Sequence, residues 1–430
     1  MRVLFISGEL IAGDLSLRLK EEGCEVKLFI EHPRQKRCLD GFVEKTDDWK
    51  KELTWVGKDG LIVFDDVGYG KIQDNLRKEG YRVVGGSEGG DKLEQNREYG
   101  QQVMAECGIT IVPNYNFTTA DVAIAYVLEH KGTWVVKQND HQSTLNYVGT
   151  MLDGGDVVSV LENYKKIGIK NISLQRKLNG IEVAVGRFFN GTDWVGPPEV
   201  NIEHKSFFND NIGPKTGEMG TIMWYVNEEN RLFQETLNKL KPHLQDIGFR
   251  GILDINCFVN KKKVFPIEVT ARFGCPITHL QTSIIRSPWK DHLVAVADGK
   301  DYNLKVNSDY GLVLTLAVPP FPYGEQIKGD FTLAGMEIFL PKNLKKSEKK
   351  RIHFEGVSLQ KDQNMSHYVL TENIGYAAFI SGFGKTVQDA RKKVYLLVER
   401  LVVPKVMYRT DIGLSFINKD ENLLTRWGWL

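Results

Sequence analysis

A chain of 430 residues is long for one ordinary domain, so two to four units are expected. Lys and Arg number 56 and Asp and Glu 55, a formal net charge of +1, which excludes the strong basic field of a nucleic-acid binder and the acidic tail of a disordered segment. Five cysteines, at positions 24, 38, 107, 257 and 275, show no C-x-x-C spacing and read as reduced thiols of a cytoplasmic protein, not as a disulfide framework or zinc site.

The opening "MRVLFISGEL" turns polar too soon for a signal peptide, and no later apolar run approaches the roughly 20 residues that span a bilayer. "RVLFIS" (2–7) reads as a strand, "DLSLRLKEEG" (14–23) as a helix with a Gly stop, and "EVKLFI" (25–30) as a second strand. "GLIVFDD" (60–66) is a third strand ending in two acids. "KIQDNLRKEG" (71–80) is a helix and "YRVVGG" (81–86) a fourth strand. Strand and helix in alternation imply a parallel sheet with covered faces, whose ligands sit at strand carboxyl ends. Gly8, Gly13, Asp65 and Asp66 lie at or beyond such ends; tight turns and helix caps would use the same residues.

"DKLEQNREYGQQVMAECG" (91–108) reads as one helix. "TWVVKQND" (133–140) is a strand carrying Lys137, and 171–191 reads as two strands round a short connection. Asn201 to Gly220 is polar and glycine-bearing, hence loop-like. Residues 231–248 read as a helix despite Pro242, and 251–274 as a hairpin turning at Asn260. More strands follow from about 305, then a helix over 386–401 and "MYRTDIG" (407–413). "KKSEKKR" (345–351) stands alone in a neutral chain and reads as a solvated loop.

The hairpin carries the most pointed chemistry. Glu268 interrupts the apolar run "VFPI", where an ionised carboxylate is costly unless paired. Glu268 and Thr270 share a face by period-two alternation, and Asn256 on the partner strand can join them. One carboxylate with neutral oxygens suits Mg²⁺, while an ion pair with Arg272 or a lysine would satisfy Glu268 equally well. Lys137, ending an apolar strand, can aim an ammonium at phosphates. Gln175 and Glu182 in "QRKLNGIE" can meet an adenine edge and ribose hydroxyls.

Together these residues resemble the ATP-grasp superfamily and, within it, the phosphoribosylamine–glycine ligase family, over nearly the whole chain. "NIGPKTGEMG" (211–220) resembles that family's T-G-P-N-T-G-G-M-G loop, and "EHK" (203–205) its D-H-K. "PIEVTARFGCP" (266–276) resembles I-E-F-N-x-R-F-G-D-P, and "MYRTDIG" the Y-R-x-D-I-G near the carboxyl end. "QRKLNGIE" matches E-E-F-L-x-G-E-E in spacing, and Arg97 stands where a phosphate-binding lysine is expected.

The resemblance implies an α/β ATP-grasp fold. Its units would be an amino-terminal parallel α/β domain (1–95), an ATP-grasp unit (96–304) with a lid subdomain (112–185), and a small carboxy-terminal α+β domain (305–430). It implies an ATP-dependent ligase that forms an amide through an acyl phosphate, with Mg²⁺ (or Mn²⁺), a small-molecule amino acid and an amine as partners, and no nucleic acid or membrane. A paralogue using another amine and an inactive nucleotide-binding protein are the alternatives. By resemblance, Gln175 with Lys177 and Leu178 would hold adenine and Glu182 the ribose. Arg97, Lys137, Ser143 and Thr144 would hold phosphates. Glu268, Thr270 and Asn256 would hold the metal, with Arg272, Glu268 and Lys137 catalytic. His204, Lys205, Gly217, Glu218 and Arg272 would form the amine site, walled by the loop from Gly8 to Asp14.

The departures from the family touch both halves, with the ATP half kept better than the amine half. "KQNDHQSTLNYVG" (137–149) lacks the glycines of a phosphate-cradling loop until Gly149, so His141, Gln142, Ser143 and Thr144 would donate from side chains. "RFGCPIT" has lost two family carboxylates, so Cys275 and Ile277 are expected to leave a less polar wall and a changed amine.

Overall fold

The computed structural model describes residues 1–138, 145–323, 333–362, 365–372 and 374–430. At the amino end, strands Arg2–Ser7, Glu25–Ile30, Glu44–Lys45, Leu61–Phe64 and Val83–Val84 form a parallel sheet in the order third, second, first, fourth, fifth. Val3 to Ile6 and Leu61 to Phe64 are buried on both faces, which is why these strands read as continuous apolar runs. Their neighbouring carboxyl ends bring Ser7 against Asp65, hydroxyl to carboxylate, at 2.9 Å.

The central element is an eight-stranded antiparallel sheet. Its order is Val264–Thr270, Arg250–Val259, Ile181–Asn190, Trp194–Glu203, Gly220–Tyr225, Tyr310–Ala317, Tyr376–Gly384, Ile352–Phe354. The sheet runs unbroken across residues 304–305, because Gly220–Tyr225 pairs with Tyr310–Ala317. One face carries Val183, Val185, Ile255 and Cys257 into the main core. The opposite face carries Glu182 beside the small Ala184 and Gly186, with Asn256 and Asp254 on the next strand, and it forms the floor of a cleft.

A separate four-stranded sheet (Asn114–Thr119, Lys170–Arg176, Trp134–Gln138, Tyr147–Val148, in that spatial order) packs under helices Ala120–Glu129 and Gly155–Ile167. Trp134, Val136, Leu161, Ile172 and Leu174 make its own core. The two strands expected over 171–191 exist but belong to different sheets, so residues 177–180 link two lobes.

Two expected helices are broken. Residues 91–108 fall into Glu88–Gln95 and Arg97–Glu106, because Asn96 is extended and its side chain caps the second helix through Tyr99 N. The break makes Arg97 the first residue of a new helix. Residues 231–248 break at Thr236, whose hydroxyl bonds Leu232 O, and restart at Lys241 with Pro242 tolerated in the first turn. The stretch expected as loop from Asn201 continues as strand to Glu203. "KKSEKKR" contains a short helix, Lys346–Lys349. No helix among the described residues is long and apolar enough to cross a membrane.

"MYRTDIG" is a clamp. Arg409, 1% exposed, donates from Nε and Nη2 to Asp411 at 2.7 and 2.6 Å, and from Nη1 to Ser206 O and Asn211 Oδ1 at 3.0 Å each. The glycine-bearing loop after Lys205 is thereby tied to the carboxy-terminal segment. Arg409→Met is expected to cost about 3 kcal/mol, the low end for a broken buried pair because Asp411 keeps some solvent. Urea denaturation measures this, and an unchanged midpoint would refute the clamp.

Candidate active site

Glu268 reaches the cleft through a β-bulge. Asn256 pairs with Glu268 but Cys257 pairs with Pro266, so Ile267 is an extra residue on its strand. Strict alternation from the buried Val264 and Pro266 would send Glu268 to the core. The bulge switches the parity, so Glu268 and Thr270 face the cleft while Val269 is buried. Pro266, which has no N–H to donate, sits where the ladder is already disturbed.

Lys205 is Glu268's partner. Its Nζ donates to Glu268 Oε2 at 2.8 Å and lies 3.1 Å from Glu203 Oε2. Asn256 Nδ2 donates to the same Glu203 oxygen at 3.1 Å. The Lys205 ammonium first, then its direct hydrogen bond and the charges of Arg272 and Lys137, pull the Glu268 carboxyl down to about 2, against the opposing effect of burial. Burial would lower Lys205, but Glu203, Glu268 and Glu182 outweigh it and hold the ammonium charged. Asp254 lies further along the same face, where burial and Glu203 raise its carboxyl. Gly186 leaves room there: a Cβ would lie 2.8 Å from Asp254 Oδ2 and 3.0 Å from Glu199 Oε1.

Arg97 and Lys137 form the basic side. Arg97 donates to Gln175 Oε1 at 3.0 Å and to Ile267 O at 3.4 Å. Gln175 is therefore buried against Arg97, with Nε2 unpartnered, and in this form its carbonyl oxygen is not presented to an adenine amine. Lys177 Nζ bonds Gly149 O, Leu178 is half-buried in the link, and Glu182 points to the cleft with its carboxyl raised by burial. Burial, then the charge of Arg97, lowers Lys137 to about 7. His141, Gln142, Ser143 and Thr144 lie outside the described residues.

Arg272 is held by Glu94, Nε to Oε1, at 3.2 Å. Burial opposes its charge, and Glu94, Asp66 and Glu268 keep it charged. Beyond it the neighbourhood is acidic. Asp65, Glu218 and Glu355 are fully buried, each with one carboxylate oxygen lacking a hydrogen-bond partner. Burial raises all three, Asp65 to about 7. All three act on Cys275, and Tyr376 adjoins the same group. Glu355 Oε2 lies 3.8 Å from His279 Nε2, but burial drives His279 to about 3, leaving it neutral.

Two expectations change here. His204 is not a cation in the cleft: burial lowers it to about 4, its Nδ1 faces Gly220 O at 3.2 Å, and its Nε2 accepts from Gly413 N at 3.2 Å. It pins the loop. The polarity round residues 275–277 is mixed: Ile277 keeps the expected apolar contacts with Met223, Leu280 and Phe379, while the charges of Glu355, Glu218 and Asp65 act on Cys275. Gly217 is exposed beside the Tyr376 hydroxyl, where a Cβ would lie 2.6 Å away. Sequence reasoning missed Glu203, Asp254 and Glu355. The period-two row Glu199, Asn201, Glu203, Lys205 was a signal for the first; Glu355 has no local signal.

Residues 95–278 match the family described as phosphoribosylglycinamide synthetase, ATP-grasp (A) domain. The phosphoribosylamine–glycine ligase of Halalkalibacterium halodurans is 25% identical, over 87% of this chain and 85% of the relative. That of Clostridium acetobutylicum is 22% identical, over 89% and 91%. The Thermotoga maritima phosphoribosylamine–glycine ligase structure superposes with a TM-score of 0.71 at 20% identity, covering 96% of this chain and all of that one. Biotin carboxylase of Campylobacter jejuni gives 0.63 at 13% identity, over 99% and 98%.

A polyphosphate brought against Lys137 favours its charged form, so ATP binding is expected to take up a fraction of a proton near pH 7. ATP affinity is expected to fall as pH rises above about 7. Stability moves the other way. The unfolded chain keeps this proton up to the ordinary 10.5, so this group's contribution to stability rises with pH from about 7 to 10.5. Titration calorimetry in buffers of different ionisation enthalpy measures the uptake, which Lys137→Met is expected to remove. Binding heats independent of buffer would contradict the assignment.

Proposed function

We infer that the chain, which belongs to the ATP-grasp enzymes, is an ATP-dependent C–N ligase similar to phosphoribosylamine–glycine ligase, and we propose how its residues divide the work. The observation that carries the reading is the cleft face of the central sheet. There, Lys205 joins Glu203 and Glu268, with Arg97 and Arg272 charged beside them and Lys137, lowered to about 7, able to gain its full charge as phosphate arrives. Such a face can neutralise a triphosphate and hold a transferring phosphoryl group.

ATP transfers its terminal phosphoryl group to a carboxylate, glycine's on the family resemblance, giving an acyl phosphate and ADP. An amine attacks that carbonyl and phosphate leaves, because phosphate departs where oxide cannot. Arg97 and Lys137 would bind phosphates, Glu182 the ribose, and Arg272 would brace the transferring group. The link at Lys177 and Leu178 offers backbone groups to adenine. The donors fit a hard cation: two carboxylate oxygens already converge on one ammonium, with an amide beside them. Glu268 and Asn256, with Thr270 on the same face and Glu203 added, would hold Mg²⁺ (or Mn²⁺), which supplies charge neutralisation for the phosphates.

For the amine we propose that Glu355 and Asp65 stand in for the two family carboxylates absent from "RFGCPIT". Buried acids with unpartnered oxygens fit an ammonium or hydroxyl donors. The amine would therefore carry such groups, held between Glu218, Glu355 and Asp65. ADP release from purified protein with Mg²⁺-ATP, glycine and a panel of amines, phosphoribosylamine included, tests the function; no turnover with any pair alongside normal ATP binding favours an inactive nucleotide-binding protein.

Glu268→Gln is expected to abolish ADP release while thermal melting stays near wild type, since Lys205 keeps Glu203. Wild-type turnover in that variant removes Glu268 from the chemistry. Glu355→Gln is expected to raise the KM for the amine roughly tenfold with the KM for ATP unchanged. Steady-state kinetics with each substrate varied in turn separates the two, and an equal change in both constants would count against an amine-side role.

A further inference from the structure

A cavity of about 1000 Å³ lies away from this cleft, between the helix Gly13–Glu21, the helix Ile277–Ile284 and the carboxy-terminal strands. None of the nucleotide or metal residues lines it. Seven Lys or Arg side chains face it against three carboxylates, in a chain whose net charge is only +1. From "KKSEKKR", Lys345, Lys349 and Lys350 stand on its rim, exposed to solvent as expected, and Arg351 is half-buried in its wall.

Some of the cations are committed: Arg18 pairs with Glu21 and Glu22, and Lys350 lies 3.8 Å from Glu21. Arg351 is not. Half-buried on the wall, its side chain makes neither an ion pair nor a hydrogen bond among the described residues. Lys393 donates to Phe383 O at 2.8 Å and lies 5.5 Å from the centroid of that ring, and the Lys349 side chain makes no hydrogen bond or ion pair among the described residues. Opposite the charges lies an aromatic patch. Phe354 stacks on Tyr368 with centroids 4.7 Å apart, and Phe42 packs on both at 5.6 and 6.1 Å.

A buried polar row fixes one more group. Asp14 Oδ2 lies 2.7 Å from His353 Nδ1, His353 Nε2 lies 2.8 Å from Ser381 Oγ, and Ser381 Oγ lies 2.8 Å from Ser283 Oγ. With Asp14 ionised, Nδ1 donates to it and Nε2 accepts from Ser381, so Ser381 accepts from Ser283. Ser283, on the cavity lining, then offers its lone pairs to an incoming donor.

We propose that this cavity is a second small-molecule site, for a nucleotide-type ligand: a heterocycle carrying hydroxyls and phosphate. Phosphate meets Arg351, Lys349 and Lys393; the heterocycle lies on the patch of Phe42, Phe354 and Tyr368; Ser283 receives a hydroxyl. A volume of this size holds such a ligand, and aromatic faces with basic groups are the usual means of binding one.

The test is calorimetric titration of AMP into the full-length protein already saturated with Mg²⁺ and a non-hydrolysable ATP analogue, which needs no turnover. One further AMP per chain is expected. Arg351→Gln and Lys393→Gln, neither of them in the catalytic cleft, are each expected to weaken it about tenfold, a loss of roughly 1.4 kcal/mol. Affinity for the analogue and the melting temperature should not change. No AMP uptake beyond the analogue's site overturns the proposal, as does uptake that neither variant alters. Inorganic phosphate binding as tightly as AMP, with adenosine adding nothing, also overturns it and leaves a bare anion cleft.

Discussion

The cleft is organised round one ammonium. Lys205 lies between Glu203 and Glu268, and its charge also acts on Glu182, Glu218 and Asp254, so it offsets the repulsion of five acids at once. Taking each ion from water costs several kcal/mol, recovered only where partners and hydrogen bonds are complete. Lys205 is complete on the carboxylate side, and its carbonyl accepts from Thr216 Oγ1 at 2.8 Å. The same residue therefore ties the acids together and anchors the loop that follows.

That loop would be poorly determined by its own sequence, because its glycines order little. Remote contacts fix it, among them His204 to Gly413, Arg409 to Ser206 and Asn211, Asp210 N to Asp411, and Thr315 Oγ1 to Glu218 O at 2.9 Å. The carboxy-terminal segment thus holds Lys205 and Glu218 at the cleft from behind. Burial makes the arrangement exacting. A neutral His204 can donate from Nδ1 and accept at Nε2, whereas a protonated one would lose the Gly413 contact.

Much of this was legible in the sequence. Continuous apolar strands gave the parallel sheet, because both faces are covered. Lys137, Glu268 and Asn256 were singled out from strand ends and hairpin pairing, which depend on near neighbours, and Arg272 took its role from the family resemblance. What escaped depends on distant ones. Period-two alternation placed Glu268 beside Thr270, but only pairing with Asn256 and Cys257 reveals the bulge that turns Glu268 outward. A single Asn96 divides what periodicity reads as one helix, because its amide caps the next turn better than it continues the last. His204 looked like a charge because its sequence neighbours are charged; burial by a segment more than 200 residues away decides otherwise.

Glu355 shows why the substrate side is the harder half to read. It comes from the carboxy-terminal unit, 80 residues beyond Cys275, yet acts on that thiol and on Asp65 of the amino-terminal sheet. The acidity that "RFGCPIT" lacks locally is restored in space from two other parts of the chain. A motif comparison counts carboxylates along a line and finds them missing, whereas the pocket counts them within a volume and finds them present. His353 lies two residues before Glu355, and its ring is 5.8 Å from that of His279, which lies 3.8 Å from Glu355. Strand Ile352–Phe354 thus carries His353 of the polar row, and the bend that follows it carries Glu355. One short segment of chain therefore contributes to both neighbourhoods.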